Sequence, residues 1–442
     1  MPKNFKTTPG SVTAPQGFLA SGVFCDIKRL GTGKGSNKGR KRDLALIVSE
    51  VPATVAGMFT TNQVCAAPVK VCAERVKKGV AQAIVVNSGN ANACTGEQGL
   101  RDARAMTALV AKQFSLREEH VLVGSTGRIG VAMPMLNVKA GILEASALLG
   151  HGPEHAAEAA EAIMTSDTRA KQIAVEIKLG GRTARVGGIC KGAGMIQPGM
   201  SATGQRPPPL PLHATMLCFV TTDAAIKPAP LRTALQEATA LSFNRITVDG
   251  DMSTNDTVLV LANGLAGNTP IASTSGRDFA ALQEALNYVL LELAKMIVRD
   301  GEGVSRFVTV RVNGARSPQH ADIAARAVAN SALVKTSWCG GDPNWGRIID
   351  ALGYSAAEVV ESKVDIAYSP PGSHKLLYSL KRGRPVSTSF AALCKIAALP
   401  EFDLHINLNL GKGSAVIYAA DLTEDYVDFN KGDVNDPSSL GG

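Results

Sequence analysis

The chain of 442 residues has few aromatic side chains and no long apolar run. Aromatic residues make up 5% of it, which argues against a surface on which nucleic-acid bases stack. Without a run of about 18 apolar residues, no membrane span is expected. Residues 1–16 have neither an apolar signal core nor an Arg-rich amphipathic pattern, so the sequence predicts a cytoplasmic location.

Motifs for metal binding, disulfide pairing and serine catalysis are also missing. The eight cysteines are scattered singly, with no C-x-x-C pair, and most lie in apolar stretches. They are therefore expected to be reduced core residues. The seven histidines show no ligand spacing, and no G-x-S-x-G elbow is present. We expect neither a metal nor a resident cofactor.

What the chain does have is a composition suited to a large core. Hydrophobic residues make up 45%, and the 44 glycines suggest many tight turns. The net charge is +8, and part of this excess lies in the Gly-rich segment Lys28–Arg42. A solvated loop is the favoured interpretation of that segment. The alternative is an anion site, for a nucleotide-bearing acyl donor or for nucleic acid.

Short β-branched runs alternate with Ala-rich helical stretches along the whole chain, which predicts a layered α/β fold. The predicted strands are Leu44–Val48, Ala83–Val86, His120–Val123, Ile173–Leu179, Met216–Thr221, Thr257–Asn263, Phe307–Val312, Val364–Tyr368, His405–Asn409 and Ser414–Ala419. The predicted helices are Leu100–Phe114, Lys139–Leu149, Arg277–Arg299 and Gln319–Asn330. One segment, Ser201–His213, contains four prolines, which favour an extended surface loop; it could mark a domain boundary or a place of cleavage.

Five polar islands interrupt the apolar sequence, and two of them are predicted to follow strands directly. They are Asn87–Gly96, Gly124–Gly127, Asp249–Asp256, Asp300–Gly303 and Gly340–Arg347. Each alone is more typical of a structural turn. Five in one chain favour a polar site built from loops.

The islands, in order, resemble the motifs of the self-cleaving glutamate N-acetyltransferase (ornithine acetyltransferase) family of arginine biosynthesis. The resemblance rests on NSGNANACTG, GSTG, MTSD, KGAGMI, ATML, DGDMSTND, DGEG and GGDPNWGR, and it runs from about residue 15 to about residue 430. It implies an α/β layered fold in two lobes, with helices flanking β-sheets, similar to that of self-processing aminopeptidases.

The resemblance also implies a mechanism in which the chain cuts itself between Ala214 and Thr215. Residues 1–214 would then form an alpha chain that ends in the Pro-rich loop 201–213, and residues 215–442 a beta chain that begins with the nucleophile. Thr215 would carry acetyl from N-acetylornithine to glutamate by ping-pong kinetics. Its free α-amine, with a pKa of about 7.7–8.0 in model peptides, can act as the base without a histidine.

Further roles follow from the same resemblance. Thr126 and Gly127 match the oxyanion-hole pair, where one donor is typically worth roughly 3–4 kcal/mol. The implied substrate-binding residues are Thr165, Lys191, Thr215, Glu302, Asn430 and Asn435. A cation suits a substrate carboxylate, and an anion suits a substrate amino group. The cleaved chains are expected to assemble as an α2β2 heterotetramer, with no nucleic-acid or membrane partner.

Several alternatives stay open at the level of sequence. A second Ala-Thr pair, Ala202-Thr203, is another candidate for the cut, although the apolar run after Thr215 favours Thr215. The enzyme could use acetylornithine alone or also accept acetyl-CoA as a co-substrate. A related self-processing amidohydrolase or aminopeptidase, which passes the acyl group to water, is the second function. A basic nucleic-acid-binding protein is the third.

Overall fold

The computed structural model describes residues 5–30, 41–205 and 216–431, which divide into two compact units. The first unit combines residues up to Asn244 with Asp251–Ile297. The second combines Arg245–Gly250 with Val298–Lys431. The predicted α/β layered fold in two lobes is confirmed. The first unit contains described residues from both sides of the Ala214-Thr215 bond, so this division differs from that of the two expected chains.

Seventeen strands form two mixed sheets in the described part of the chain. The strands are β1 (Lys6–Thr7), β2 (Phe18–Val23), β3 (Leu44–Thr60), β4 (Val80–Asn90), β5 (Val121–Arg128), β6 (Lys171–Leu179), β7 (Arg182–Lys191), β8 (Met200–Ser201), β9 (Leu217–Thr222), β10 (Ile246–Thr247), β11 (Thr257–Ala262), β12 (Phe307–Ala315), β13 (Asp365–Ser369), β14 (Leu377–Lys381), β15 (Arg384–Pro385), β16 (Glu401–Asn407) and β17 (Gly413–Ala420).

Twelve α-helices accompany the strands in these residues. They are α1 (Ile27–Leu30), α2 (Ala67–Arg75), α3 (Gly96–Phe114), α4 (Met135–Ala147), α5 (Pro153–Ala162), α6 (Pro228–Leu241), α7 (Arg277–Arg299), α8 (Pro318–Asn330), α9 (Ala332–Cys339), α10 (Trp345–Gly353), α11 (Phe390–Ala397) and α12 (Glu424–Phe429). Among the described residues, no helix combines the length and the apolar character that a membrane span requires.

The first sheet belongs to the first unit and runs in the order β1-β6-β7-β9-β11-β3-β4-β5, with β2 and β8 also paired to β3. Its central strands β9 and β11 are parallel neighbours, and every residue in both is buried. This is why their sequences are almost wholly apolar rather than alternating. The long strand β3 changes register against β4 between Val48 and Ala53, around Pro52, which has no N–H to donate.

Parallel pairing in this sheet also brings two polar segments together. Strands β4 and β5 are parallel, and Asn87, Ser88 and Gly89 lie opposite Ser125, Thr126 and Gly127. The islands that contain these residues were predicted to follow strands. The structure corrects this in part, because β4 extends into the first island as far as Asn90, and β5 runs through the second island to Arg128. Ladder hydrogen bonds therefore extend into the polar segments.

The second unit has a seven-stranded sheet in the order β10-β17-β12-β16-β13-β14-β15. Its core is formed mainly by Ala, Val, Ile and Leu side chains, together with a buried aromatic group. Trp338 meets Phe402 edge to face, and Tyr368 also contacts Phe402. The predicted helix Arg277–Arg299 is confirmed to the residue, and the predicted strand His405–Asn409 is corrected to β16, Glu401–Asn407.

The basic segment Lys28–Arg42 also needs a partial correction, since a solvated loop was predicted there and residues 31–40 lie outside the described part. Lys28 is buried, and its Nζ donates to the Arg42 carbonyl at 2.6 Å. Arg42 in turn pairs with Glu158 and Glu161, each at 2.8 Å. These two cations are therefore held within the fold.

The cysteines are all free thiols, as the sequence predicted. Half of them are buried, namely Cys25, Cys72, Cys190 and Cys218, whereas Cys94 is exposed. The expectation of core residues therefore holds for the buried four, and the other cysteines lie nearer the surface.

Candidate active site

Three buried charged side chains and one half-buried threonine meet where β6 begins and β7 ends, and we call them the Asp167 cluster. Its members are Thr165, Asp167, Lys171 and Lys191. The two strands are antiparallel, and Lys171 lies opposite Cys190, so the residues just before β6 meet the last residue of β7. Two of the predicted substrate-binding residues, Thr165 and Lys191, are thereby brought into direct contact.

Asp167 organises this cluster through both carboxylate oxygens. Lys171 Nζ donates to Oδ1 at 2.6 Å, and the Gly192 N–H donates to the same oxygen at 2.7 Å. The Thr165 N–H donates to Oδ2 at 3.0 Å, and Lys191 Nζ lies 3.8 Å from Oδ2. Burial raises the pKa of Asp167, but the two lysines and the Gly192 N–H outweigh it and hold the pKa well below its usual range.

Lys191 is therefore placed to meet an anion. Its Nζ also donates to Thr165 Oγ1 at 2.7 Å, and its side chain is 3% exposed. Two buried lysines lie against one buried aspartate, and Lys171 is the nearer of the two. A substrate carboxylate is a suitable ligand for a buried lysine such as Lys191.

Thr126 and Gly127 lie at the end of β5, next to the end of β4. Gly127 has φ of +129°, and a Cβ there would lie 2.3 Å from the Gly89 carbonyl carbon. Only glycine fits both constraints. Asn255 Nδ2 donates to the carbonyl of Ser125 at 2.8 Å, and so orients the peptide group that carries the Thr126 N–H. Backbone N–H groups fixed in this way are suited to stabilising an oxyanion.

The segment that holds Asn255 also reaches the residue that follows the predicted nucleophile. Met216 is fully buried, its N–H donates to Asp256 Oδ1, and its carbonyl accepts from the Thr257 N–H at 3.0 Å. Asp256 is fully buried as well. Burial raises its pKa well above the usual range, although the Met216 N–H and the charge of Lys191 oppose the shift.

Two further predicted residues, Glu302 and Asn430, meet inside the second unit. Asn430 Nδ2 donates to Glu302 Oε2 at 3.0 Å. The loop of Glu302 is held against the start of α12, because Thr423 Oγ1 donates to the Gly303 carbonyl at 2.6 Å. A Cβ on Gly303, whose φ is +65°, would lie 2.3 Å from the Tyr426 nitrogen. This glycine permits the close approach that joins the pair.

The predicted cleavage residues Ala214 and Thr215, and the predicted substrate residue Asn435, lie outside the described residues. The alternative nucleophile Thr203 lies in an exposed turn after β8, where its Oγ1 accepts the Gln205 N–H at 3.3 Å. It has no buried surroundings of the kind that hold Met216.

Several residues of the polar islands make hydrogen bonds that stabilise turns and a helix end. Asn87 Nδ2 donates to the Asn90 carbonyl at 2.8 Å, and Asn90 Oδ1 accepts the Asn92 N–H at 2.8 Å. In the second unit Asn344 caps α10 by accepting the Arg347 N–H. These contacts fit the turn interpretation. The first two also hold the end of β4 in place.

Sequence reasoning gave no roles to four residues of this site, namely Asp167, Lys171, Asn255 and Asp256. Asp167 is the last letter of MTSD, and Asn255 and Asp256 end DGDMSTND, so the motifs contained three of them. The missing signal was burial. A carboxylate or amide in a polar motif becomes informative once it is known to be enclosed with a specific partner.

Comparison with known proteins matches residues 24–432 to the ArgJ family. An arginine biosynthesis bifunctional protein ArgJ from Symbiobacterium thermophilum is 48% identical over 95% of this chain and 98% of that protein. A glutamate N-acetyltransferase from Methanocaldococcus jannaschii is 44% identical over 95% and 98%. A solved ornithine acetyltransferase from Mycobacterium tuberculosis, in complex with ornithine, is 38% identical over 44% of this chain and 100% of that one, with a TM-score of 0.40.

The protein is therefore an acetyltransferase enzyme of arginine biosynthesis. The chain belongs to the ArgJ family, as the motif resemblance predicted.

Proposed function

We propose that the enzyme transfers acetyl from N2-acetylornithine to glutamate, giving ornithine and N-acetylglutamate, through an acetyl-Thr215 intermediate. The observation that carries the proposal is the Asp167 cluster, in which buried Lys191 donates to Thr165 at 2.7 Å and lies 3.8 Å from Asp167. Both substrates carry an α-carboxylate, which a lysine and a neighbouring hydroxyl group can bind. Family membership supplies the reaction class.

Self-cleavage comes first in this mechanism. Thr215 Oγ attacks the Ala214 carbonyl carbon, the C–N bond breaks, and the Oγ proton passes to the departing nitrogen. Water then opens the resulting ester, which releases the Ala214 carboxyl group and restores the Thr215 hydroxyl. Thr126 and Gly127 would stabilise the oxyanion that forms in each step, since their backbone is held by β4 and Asn255.

The same groups then serve acetyl transfer. The new α-amine of Thr215 takes the Oγ proton while Oγ attacks the acetyl carbonyl, and ornithine leaves with that proton. Glutamate enters, its amino group attacks the acetyl ester, and Thr215 is regenerated. Lys191 and Thr165 would hold the substrate carboxylate. The pair Glu302 and Asn430 would receive a substrate amino group, with Asn435 as a further contact.

The remaining elements of the proposal concern assembly and donors. Residues 1–214 and 215–442 would stay together as alpha and beta chains, pair into an α2β2 heterotetramer, and work in the cytoplasm without a resident cofactor. Acetyl-CoA is the second donor to test. Its use would add synthesis of N-acetylglutamate to the recycling reaction.

Intact mass under denaturing conditions, with N-terminal sequencing, tests the cleavage. We expect two fragments, the second of which begins at Thr215. A second fragment that begins at Thr203 would move the nucleophile to the exposed turn, and one uncut chain would contradict the mechanism. Thr203 lies in an exposed turn, whereas Met216 is buried and its N–H is bound by Asp256. This difference supports the cut at Thr215.

Product analysis tests the acceptor. With acetylornithine and glutamate present, the products should be ornithine and N-acetylglutamate in equal amounts. Labelled ornithine should exchange into acetylornithine without glutamate, as ping-pong kinetics require. Release of free acetate at the same rate with and without glutamate would instead identify the hydrolase. Replacing acetylornithine with acetyl-CoA separates the one-donor enzyme from the two-donor enzyme.

A further inference from the structure

Helix α4 has two apolar faces, and its own unit covers only one of them. The covered face is formed by Val138, Gly141, Ile142 and Ala145. The opposite side carries four exposed apolar residues, which we call the α4 outer face: Leu136, Ala140, Leu143 and Ala147. Leu136 is 86% exposed and Leu143 is 45% exposed. Single exposed leucines are ordinary, but an ordered row of apolar residues on one helix asks for an explanation.

The spacing of the outer face is typical of a surface that packs against a second helix. Positions 136, 140, 143 and 147 lie within about 60° of one another around a helix of 3.6 residues per turn. Steps of four, three and four residues match the heptad pattern, in which positions a and d meet the other helix. The two leucines then occupy position d and the two alanines position a.

Two more exposed apolar side chains border the outer face. Leu148, which is 50% exposed, follows α4 directly. Phe24 is 40% exposed, and the carbonyl of the next residue, Cys25, accepts Asn137 Nδ2 at 3.0 Å. Because Asn137 follows Leu136 in α4, Phe24 lies near the start of the outer face. The apolar surface is therefore wider than one row of side chains, and a stable interface needs that width, since it buries roughly 800 Å² on each partner.

Charged residues flank the outer face, one on each side. Lys139 and Glu144 are exposed, and neither forms an ion pair among the residues that the structure describes. In the heptad pattern Lys139 occupies position g and Glu144 position e. In a parallel helix pair position g faces position e of the other helix, so Lys139 would meet Glu144 of the partner subunit. In an antiparallel pair position g faces position g, which offers Lys139 only another Lys139 or Ser146. Charge complementarity thus favours the parallel pair.

We propose that two copies of this chain pair through the α4 outer face, with their α4 helices parallel about a two-fold axis. Each copy gives Lys139 to one ion pair and Glu144 to the other, so the partner is a second copy rather than another protein. A contact of this kind is self-complementary and closes on itself, as a two-fold interface requires. This inference rests on the pairing of copies in the proposed assembly, and needs neither the proposed cut nor the transfer reaction.

Sedimentation velocity over a range of protein concentrations measures the pairing. Wild type should sediment as two copies of the chain, whether cut or uncut. Leu136→Glu should weaken the pairing by roughly 10²-fold or more, because each dimer buries this side chain twice. Leu241→Glu is the matched control, since Leu241 is a 48% exposed leucine at the end of α6 in the same unit. Wild type that stays a single copy at every concentration, or equal weakening in both variants, would overturn the proposal.

Exchange of the two flanking charges tests the orientation of the helices. Lys139→Glu should weaken the pairing by roughly 10-fold at low ionic strength, since it sets like charges against each other on both sides of the axis. The double variant Lys139→Glu/Glu144→Lys should pair like wild type again. If the double variant does not recover, the parallel arrangement is wrong.

A covalent test covers the case in which Leu136→Glu fails to fold. Around a parallel two-fold axis, position 136 lies opposite position 136 of the other copy, whereas an antiparallel pair sets it opposite position 147. Two adjacent thiols form a disulfide while oxidised glutathione is reduced to two molecules of glutathione. Leu136→Cys should therefore give a covalent dimer beyond the background that exposed Cys94 gives in wild type, and Leu241→Cys should not. Absence of that dimer refutes the contact, and none of these outcomes bears on acetyl transfer.

Discussion

The buried lysines of the Asp167 cluster and the buried Lys335 of the second unit have different neighbours. In the first unit Lys171 and Lys191 share the buried carboxylate of Asp167. In the second unit Lys335, which is 3% exposed, donates its Nζ to the carbonyl of Ala420. Burial lowers the pKa of Lys335 to about 8, and the more distant Asp249 and Asp421 only partly oppose this. A buried cation that keeps a carboxylate can serve an anionic ligand, whereas one that has a carbonyl tends to lose its proton.

The test with the largest expected effect removes the Asp167 carboxylate, which Lys171 and Lys191 share. Asp167→Asn would remove the carboxylate against which two lysines are buried, and its single amide oxygen could keep only one of the hydrogen bonds from the N–H groups of Gly192 and Thr165. We expect a loss of about 3–5 kcal/mol in the free energy of unfolding, measured by urea denaturation. Activity should be lost with it.

The control for that variant is Glu119→Gln, which breaks the surface pair with Lys78. Because solvent screens exposed pairs, its midpoint should stay close to that of wild type. A similar loss in both variants would mean that burial of the Asp167 cluster has no special energetic weight.

The second test compares the effects on activity of replacing Lys191 and of replacing Lys335. Lys191→Met removes one cation of the cluster while Lys171 still pairs with Asp167, so folding should be kept. We expect kcat/KM for acetylornithine to fall by roughly 10²-fold or more, mainly through KM. Steady-state kinetics at saturating glutamate measure it.

Lys335→Met is the matched substitution in the second unit. It removes a buried lysine of the same exposure, which has no assigned part in the reaction, and the rate constants should remain those of wild type. If both variants lost affinity for acetylornithine equally, the difference between the two environments would not bear on function.

A third test compares Gly127, at the end of β5, with Gly130, just after that strand. Gly127→Ala places a Cβ 2.3 Å from the Gly89 carbonyl carbon, whereas a Cβ on Gly130, with φ of +77°, would have no other atom within 4 Å. Both variants bear the cost of a positive φ, about 1–2 kcal/mol. Gly127→Ala should cost more in stability and reduce kcat by roughly 10²-fold. Thermal melts and initial rates would show the contrast, and equal behaviour of the two variants would contradict the oxyanion assignment.

These contrasts show where sequence reasoning succeeded and where it could not. Helix α7 was predicted with its observed bounds, because an apolar face repeats over many turns without interruption. Thr165 and Lys191 were named from motifs and do touch. Strand β7 was not predicted, since its sequence RTARVGGICK alternates poorly and contains two glycines.

The parts that could not be predicted depend on long-range packing. Asn255 bonds to the Ser125 carbonyl from 130 positions away, and Asp256 binds the backbone of Met216 from 40 positions away. No local pattern encodes such partners. Burial of Lys28 was missed for the same reason, because a run of basic residues in glycine-rich sequence gives no sign that one of them is enclosed.

The smallest expected effect is the pH dependence that the lysine of the second unit imposes on stability. An ordinary lysine titrates near about 10.4 and Lys335 near about 8, so between these values the unfolded chain binds more protons than the folded one. Stability should therefore rise with pH across this window, by at most about 1.4 kcal/mol per pH unit.

Urea unfolding of wild type and Lys335→Met at about pH 7.5 and pH 9.5, on either side of the folded-state pKa, isolates that contribution. The wild type should gain stability relative to the variant at the higher pH. Asp167 should not contribute there, because a carboxylate with a lowered pKa adds stability that is lost only as pH falls below its usual range. Equal pH dependence in the two proteins would mean that Lys335 stays charged when buried, and the distinction between the two kinds of buried lysine would then rest on the position of Lys191 alone.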